Sequence, residues 1–215
     1  MLFCILFALC YLPCIIFFPI KKIGKKHYKE LRKKKQNYII ACNHMSNWDP
    51  IILDIVFAKK HRILAKKELF SNKFTSKFME SVGAIKVDRN NVDATSIKKV
   101  LSAINKKKNI LIFPQGTRAK TVKVDEGSAK EGVAMFSIRT GTPVIPMMFN
   151  KKIKGFHKTK LFIGEPLYPD MERKKDKEYL TEFSNLIIEK MNSLIDNQPV
   201  KNYKKVKKDK AVVNG

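Results

Sequence analysis

The sequence predicts an α/β fold, in which helices flank a mixed β-sheet and an N-terminal helical segment associates with a membrane. Three observations support this prediction. Short apolar runs of strand type alternate along the chain with stretches in which apolar residues recur at helical spacing. Polar motifs follow directly after two of the apolar runs, where α/β proteins usually carry their functional groups. The first 20 residues hold only apolar side chains and two prolines.

The apolar segment at residues 1–20 is long enough, at about 1.5 Å per residue, for a helix that just crosses a bilayer core. A signal peptide would carry positive charge before its apolar part, whereas here the basic residues follow it, at positions 21–35. We therefore expect a retained anchor, although Pro13 leaves a re-entrant or interfacial helix open. The positive-inside rule then predicts a cell-membrane protein whose remaining domain faces the cytoplasm.

The composition suits one domain with an adequate core, because the chain has 215 residues. A formal net charge of +25, from 44 Lys and Arg against 19 Asp and Glu, indicates a polyanionic partner: nucleic acid, an anionic membrane or a phosphorylated substrate. We expect no nucleic acid, because aromatic side chains do not interleave with the basic clusters and no nucleic-acid motif is present. The four cysteines form no Cys-x-x-Cys motif and no Cys/His cluster, so we predict no metal site and a reducing compartment.

The chain divides into three predicted parts. Residues 1–36 form the anchor and a basic juxtamembrane segment, residues 37–198 form the α/β domain, and residues 199–215 form a basic tail with too few apolar residues to fold. Within the domain we predict strands at residues 38–42, 62–65, 83–89, 109–113, 142–149 and 160–167, and helices at residues 49–57, 73–81, 93–107, 129–139 and 176–195. A proline in the strand at 142–149 predicts an edge position or a bulge.

Residues 43–49, with the sequence Asn-His-Met-Ser-Asn-Trp-Asp, follow the first predicted strand of the domain. Histidine takes up a proton readily near neutral pH, and a carboxylate on its other ring nitrogen fixes the tautomer and stabilises the imidazolium. On one continuous helix His44 and Asp49 would lie about 140° apart, so their contact requires a turn, for which the intervening serine and asparagine are suitable. In the alternative interpretation, Asp49 caps the helix that begins with Pro50, and His44 is a core histidine.

Residues 114–118, with the sequence Pro-Gln-Gly-Thr-Arg, follow the buried run Asn-Ile-Leu-Ile-Phe. The pairing of Asn-His-x-x-x-x-Asp with a downstream Phe-Pro-x-Gly-Thr-Arg resembles the glycerolipid acyltransferase family, in particular the 1-acylglycerol-3-phosphate acyltransferases. The resemblance covers residues 35–165. It implies an acyltransferase-type fold and a membrane-bound enzyme in which His44 and Asp49 are the catalytic residues.

The resemblance also implies a reaction. A fatty acyl group would pass from acyl-CoA or acyl-carrier protein to the sn-2 hydroxyl of 1-acyl-glycerol-3-phosphate, giving phosphatidate for phospholipid biosynthesis. The acyl donor is then a substrate, and no cofactor or metal is implied. The expected partners are membrane lipids, lysophosphatidate and the acyl donor.

Five residues are implied to bind the substrate through the same resemblance. Arg89, which ends a strand similar to the family's second motif, and Arg118 would hold the acceptor's phosphate, together with Lys67 from a Lys-Glu-Leu element. Gly116 permits a close backbone approach or a positive φ, and Thr117 offers a hydroxyl. Without the resemblance, the residues alone favour a surface arginine at position 89.

Gln115, a further substrate-binding candidate, departs from the family's pattern, which has Glu between the proline and the glycine. Glutamine keeps the shape and one carbonyl acceptor but lacks the charge, so it can accept a hydrogen bond from a substrate hydroxyl but pairs only weakly with an arginine. The acceptor is therefore left open, with glycerol-3-phosphate and a lyso-aminolipid as alternatives for the same chemistry. A further alternative is a non-catalytic basic protein that binds anionic lipid or nucleic acid.

Overall fold

The computed structural model describes residues 13–87, 94–125 and 131–196. In chain order, its strands and helices are β1 (Ile20–Ile23), α1 (Lys25–Lys33), β2 (Ile39–Cys42), α2 (Asp49–Phe57), β3 (Arg62–Lys66), a 3₁₀ helix (Lys67–Phe70), α3 (Lys73–Ser81), β4 (Ile85–Val87), α4 (Ala94–Asn105), β5 (Ile110–Ile112), α5 (Gly132–Thr140), β6 (Val144–Phe149), β7 (Thr159–Ile163) and α6 (Lys177–Asp196). Residues 13–17 are also helical. The strands and helices predicted for the domain are present, close to their predicted bounds.

In the described part of the chain, seven strands form one sheet in the order β1-β7-β6-β2-β5-β3-β4. The five strands from β6 to β4 in this order are parallel neighbours, whereas β7 is antiparallel to β6 and β1 is parallel to β7. The prediction of a mixed sheet is therefore confirmed. Because β2 and β5 are adjacent and parallel, with Ile39 opposite Ile110, their carboxyl ends meet at the same edge of the sheet.

Helices cover both faces of this sheet, as expected for the predicted α/β architecture. Successive residues along a strand point to opposite faces, so Ile39 and Ile40 enter different hydrophobic clusters. One cluster packs the sheet against α1 and α2, and the other packs it against α4, α5 and α6. On the predicted apolar stripe of the C-terminal helix, Phe183, Ile187 and Met191 are buried in the second cluster.

A short strand and a helix precede the predicted domain and belong to the same packed unit. β1 pairs with β7 along its whole length, and α1 buries Tyr28 and Leu31 against the sheet. From the sequence, both elements belong to the predicted anchor and basic juxtamembrane segment at residues 1–36, because lysines dominate their composition. The signal for a buried face was the spacing of Tyr28 and Leu31, three residues apart on a helix.

Strand β6 has an interior position, between β7 and β2, so the expectation of an edge strand or a bulge is wrong. Pro146 pairs with Ala41 in an uninterrupted register. The N–H and C=O of a residue point to the same side of a strand, and the Pro146 carbonyl accepts the N–H of Gly164, one residue beyond β7. An N–H at position 146 would therefore point toward the end of β7. Its loss removes only one hydrogen bond, at the end of the ladder between β6 and β7.

A buried polar pair connects α2 with the start of β3. His61 Nδ1 lies 2.7 Å from Asp54 Oδ1, and the His61 backbone N–H donates to the same oxygen over 3.1 Å. The Tyr38 hydroxyl lies 3.4 Å from His61 Nε2. Burial raises the pKa of the Asp54 carboxyl, although hydrogen bonds from His61 and its charge partly offset this. The pair fixes the position of α2, the helix that begins at Asp49.

Some predictions lie outside the described residues: the first 12 residues of the anchor, the phosphate contact of Arg89, and the tail at residues 199–215. Within residues 13–87, 94–125 and 131–196, no helix is both long enough and apolar enough to cross a membrane. The anchor, the role of Arg89 and the disorder of the tail stay predictions.

Candidate functional site

The two motifs singled out in the sequence lie side by side at one edge of the sheet. The loop at residues 43–48 leaves β2, and residues 113–118 leave the adjacent parallel strand β5. The backbone N–H of Ala119 donates to the His44 carbonyl over 2.8 Å, so the second segment runs along the first. The parallel pairing of β2 with β5 thus brings together residues that are about 70 positions apart.

His44 and Asp49 are in direct contact. The imidazole Nδ1 lies 2.9 Å from Asp49 Oδ2, and the chain turns between the two residues, where the Asp49 N–H donates to the Ser46 carbonyl over 3.1 Å. The Asp49 side chain is fully buried, whereas that of His44 keeps 13% exposure. When Nδ1–H donates to the carboxylate, Nε2 is the ring nitrogen that can accept a proton from a ligand.

Asp49 is the first residue of α2 rather than its N-cap. The N-cap is Trp48, which makes no capping bond through its side chain, and Pro50 lies in the first turn. Asp49 Oδ2 instead accepts the backbone N–H groups of Met45 and Ser46, each over 2.7 Å. These bonds fold the loop back until the carboxylate reaches the imidazole, so the capping interpretation is wrong and the predicted contact with the histidine is present.

Gln115 and Phe113 hold His44 in place from the second motif. Gln115 is buried, and its Oε1 accepts the His44 backbone N–H over 2.9 Å. The Phe113 ring stacks on the imidazole, with centroids 4.2 Å apart and an interplanar angle of 21°. The hydrogen bond needs an oxygen lone pair but no charge, so glutamine can make it as well as glutamate. Neither contact is predicted from the sequence, in which the available signal is the position of Phe113 at the end of its strand, directly before the motif.

Asn43 attaches the loop to its surroundings. It is fully buried, and its Nδ2 donates to the carbonyls of Val122 and Phe149, each over 3.0 Å, while its Oδ1 accepts the Phe149 N–H over 2.8 Å. A carboxamide suits this position because it supplies donors and an acceptor at once. Asn43 belongs to the motif at residues 43–49, but the sequence alone does not predict its role.

Cys42 lies directly before the loop but is unsuited to nucleophilic attack. It is fully buried, and burial, followed by the nearby charge of Asp49, raises the pKa of its thiol. Cys42 therefore serves as a small buried side chain of the core. Among residues 13–87, 94–125 and 131–196, no group of three or more His, Cys, Asp or Glu side chains could hold a metal ion.

The other predicted substrate-binding residues that the structure describes lie at the same edge of the sheet. Gly116 has a φ of 68°, as its sequence position suggested, and lies in the turn that follows β5. Thr117 and Arg118 follow it and are exposed. Lys67 is exposed as well and begins the 3₁₀ helix after β3, which lies two strands from β2 in the sheet.

An apolar cavity of about 350 Å³ lies beside the second motif. It lies between α4, α5 and the carboxyl end of β5, and Val100, Ile112 and Met135 are among its lining residues. Phe113 both lines the cavity and stacks on His44, so one ring connects the two. The volume is at the lower end of the range for small-molecule sites, and the lining suits a hydrocarbon ligand.

Comparison with known proteins agrees with this geometry. A family model described as Acyltransferase matches residues 24–150, which include both motifs. The 1-acyl-sn-glycerol-3-phosphate acyltransferase of Bacillus subtilis (strain 168) is 30% identical over 182 residues, which are 80% of this chain and 89% of that protein. The protein of the same name from Streptococcus pneumoniae (strain ATCC BAA-255 / R6) is 28% identical over 131 residues, which are 59% of this chain and 47% of that protein.

A solved structure has the same fold. The crystal structure of the 1-acyl-sn-glycerophosphate acyltransferase from Thermotoga maritima matches with a TM-score of 0.61 and 20% sequence identity. The match covers 85% of this chain and 74% of that chain. The fold expected from the resemblance of the motifs is therefore confirmed for the α/β part.

Proposed function

Since the chain belongs to the acyltransferase family and is an O-acyltransferase, we propose that it transfers a fatty acyl group from acyl-CoA or acyl-carrier protein to the sn-2 hydroxyl of 1-acyl-glycerol-3-phosphate, giving phosphatidate. The observation that carries this proposal is the 2.9 Å contact between His44 Nδ1 and Asp49 Oδ2. The choice of acceptor is supported by the name of the relative from Bacillus subtilis, which this chain matches over most of its length.

In the proposed reaction His44 is the general base. Its Nε2 takes the proton of the acceptor hydroxyl while that oxygen attacks the carbonyl carbon of the thioester. When the tetrahedral intermediate collapses, the C–S bond breaks and the departing thiolate takes the proton from the imidazolium. The products are an ester and a free thiol, and His44 returns to its neutral state.

Asp49 stabilises the imidazolium and fixes the ring. One of its carboxylate oxygens receives the imidazole Nδ1–H and two backbone N–H groups, which hold the charge at the correct distance before the reaction starts. The Phe113 ring prevents the imidazole from tilting out of this plane. Because the hydroxyl that attacks belongs to the substrate, the reaction uses no nucleophilic side chain of the protein.

The substrate's charged and apolar parts have separate binding regions in this proposal. Arg118 is exposed in the turn next to His44, where its guanidinium can reach the acceptor's phosphate, and the resemblance of their motifs adds Arg89 and Lys67. The apolar cavity beside Phe113 takes an acyl chain, which its lining of apolar side chains supports. The site lies at the cytoplasmic face of a cell membrane, as the apolar residues 1–20 and the basic residues 21–35 favour.

The test measures free thiol released from acyl-CoA, with lysophosphatidate, glycerol-3-phosphate, a lyso-aminolipid or no acceptor added, and repeats the series with acyl-carrier protein. We expect release that depends on lysophosphatidate. His44→Ala should lower the rate by about 10²–10⁴-fold, whereas His27→Ala, outside the site, should not. Greater activity with another acceptor would replace the acceptor but keep the chemistry, and a His44→Ala variant with near-normal turnover would refute the mechanism.

A further inference from the structure

An exposed patch of apolar side chains borders the candidate site. Its members, called here the aromatic patch, are Ile16, Phe17, Trp48 and Phe156, which are 64%, 42%, 50% and 72% exposed. The rings form a continuous row, because the Phe18 centroid lies 5.9 Å from Trp48 and 4.6 Å from Phe17, and Phe17 lies 4.6 Å from Phe156. A contiguous exposed apolar area of this kind usually marks an interaction surface.

The loop between β6 and β7, residues 150–158, holds Phe156 in its exposed position. Phe156 has a φ of 58°, a left-handed conformation that is rare for a bulky residue. Its N–H donates to the Phe17 carbonyl over 2.6 Å. The Phe17 ring lies so close to Gly155 that a Cβ at that position would be 2.4 Å from it. The packing of Phe17 on this loop therefore holds the Phe156 ring outward, although the left-handed backbone at Phe156 is unfavourable.

Lysines surround this patch on the loop. The four lysines, called here the basic rim, are all exposed: Lys151, Lys152, Lys154 and Lys158. Because β6 is parallel to β2, the loop leaves the sheet at the same edge as the loop that carries His44. The aromatic patch, the four lysines and the imidazole thus share one side of the molecule.

We propose that this side of the folded domain docks on an anionic lipid bilayer, with Phe17 and Phe156 at the interface and the lysines on the headgroups. Exposed aromatic rings beside a basic rim are typical of surfaces that lie in the membrane interface. The proposal deepens the proposed function and rests on it for its purpose, since an amphiphilic acceptor could reach His44 without leaving the bilayer. Trp48 directly precedes Asp49, so the row of rings runs from the lipid to the catalytic loop.

An anionic leaflet fits the surface better than a protein does. A second copy of this chain has the same net charge of +25, so two basic rims would repel each other. An apolar protein partner would leave the lysines without opposite charges, whereas acidic lipids supply them. The apolar residues 1–12 also lead directly into the helical residues 13–17, which contribute two members of the patch.

The test uses the fluorescence of Trp48, the one tryptophan in the chain. Full-length protein is mixed with vesicles of phosphatidylglycerol and phosphatidylcholine, in which a fraction of the lipids is brominated near the headgroup. Docking predicts a blue shift and quenching of Trp48 by these shallow bromines. Binding without quenching would show that the N-terminal segment alone holds the protein, and would refute the proposal. The measurement needs no turnover, so it can fail or succeed independently of the proposed reaction.

Phe156→Ser tests the patch, and Phe74→Ser is its matched control. Phe74 lies on α3 and is 85% exposed, so it is an aromatic side chain of at least equal exposure outside the patch. We expect Phe156→Ser to raise the lipid concentration for half-maximal quenching by about tenfold, as the loss of one partly inserted ring implies, and Phe74→Ser to leave it unchanged. Equal effects of the two substitutions would overturn the assignment.

The basic rim is tested by Lys152→Gln with Lys154→Gln, against Lys106→Gln with Lys108→Gln at the opposite edge of the sheet. A lysine near an anionic surface strengthens binding about fivefold, so the rim pair should weaken binding to phosphatidylglycerol vesicles by roughly 25-fold. On pure phosphatidylcholine the rim pair should have no effect. An equal loss from the control pair would show that total charge alone attracts the protein. If the protein formed dimers that Phe156→Ser dissociates, the aromatic patch would bind a second copy of the chain. Either result would overturn the proposal.

Discussion

Replacement of Asp49 by Asn separates the charge of this side chain from its structural bonds. Asp49 Oδ2 accepts three hydrogen bonds, from the His44 ring and from the N–H groups of Met45 and Ser46. The amide oxygen of asparagine can occupy the same position and accept all three. The other carboxylate oxygen, Oδ1, is buried and has no hydrogen-bond partner within residues 13–87, 94–125 and 131–196. The amide nitrogen of asparagine would take the place of this unpaired oxygen, so the substitution breaks no hydrogen bond there.

The expected loss can be estimated from the distance. Since Nδ1 and Oδ2 are 2.9 Å apart, the centres of the two charged groups are separated by about 4 Å. At an effective dielectric constant of about 20, a unit charge pair at that distance contributes about 4 kcal/mol. In the proposed reaction, the charge pair exists only while the imidazole is protonated, that is, in the transition state and the intermediate. Asp49→Asn should therefore lower kcat by about 10³-fold and leave KM nearly unchanged.

The assay combines turnover with unfolding. Thiol release gives kcat and KM, and denaturant unfolding of the same preparation gives the free energy of unfolding. Asp49→Ala serves as the comparison, because it leaves two buried N–H groups unpaired and should cost about 2–5 kcal/mol of stability, which Asp49→Asn should largely retain. An Asp49→Asn variant that keeps more than about a tenth of kcat would show that the carboxylate is structural and would refute the charge argument.

Three further predictions follow from other contacts. Gln115→Leu unpairs the His44 backbone N–H and should cost about 1–3 kcal/mol in unfolding experiments, whereas Gln115→Glu keeps an oxygen acceptor for that N–H and should cost less. Asn43→Ala removes three hydrogen bonds that hold the loop and should lower the free energy of unfolding by about 2–3 kcal/mol, measured by denaturant titration. The folded state raises the pKa of Asp54, so folding takes up a proton and wild-type stability falls as pH rises from about 4 through the raised pKa. Asp54→Asn has no carboxyl to titrate at this position, so the free energy of unfolding of the variant minus that of the wild type should increase from about pH 4 to about pH 7. The same difference at both pH values would contradict the argument.

The presence of Gln115 where the family has Glu has a physical explanation in the structure. The oxygen of Gln115 accepts the His44 backbone N–H, and an amide carbonyl performs this task as well as a carboxylate oxygen does. The hydrogen bond that supports the His44 backbone is therefore kept with glutamine at this position. The role of Gln115 in binding the acceptor stays a prediction, and the panel of acceptors is the measurement that addresses it.

Most elements of the domain were predictable because their apolar residues repeat with a clear period. The stripe of Phe183, Ile187 and Met191 identified α6, and the short apolar run before His44 identified β2. Strand β1 was missed because its four residues include two lysines and overlap the end of an apolar segment that has the composition of a membrane anchor. The proline of β6 suggested an edge strand, which was wrong because the direction of a missing N–H depends on the neighbouring strands and is not encoded locally.

The sequence by itself determined the α/β class and the positions of most helices and strands, and it identified His44 and Asp49 as candidates for a contact. These depend on residue type and on spacing along the chain, which a single sequence displays. Only the tertiary structure decided that Asp49 contacts His44 rather than capping α2, that Gln115 and Phe113 support the imidazole, and that the row of aromatic rings borders the site. These contacts depend on which strands become neighbours, and strand order is set by the packing of the whole sheet.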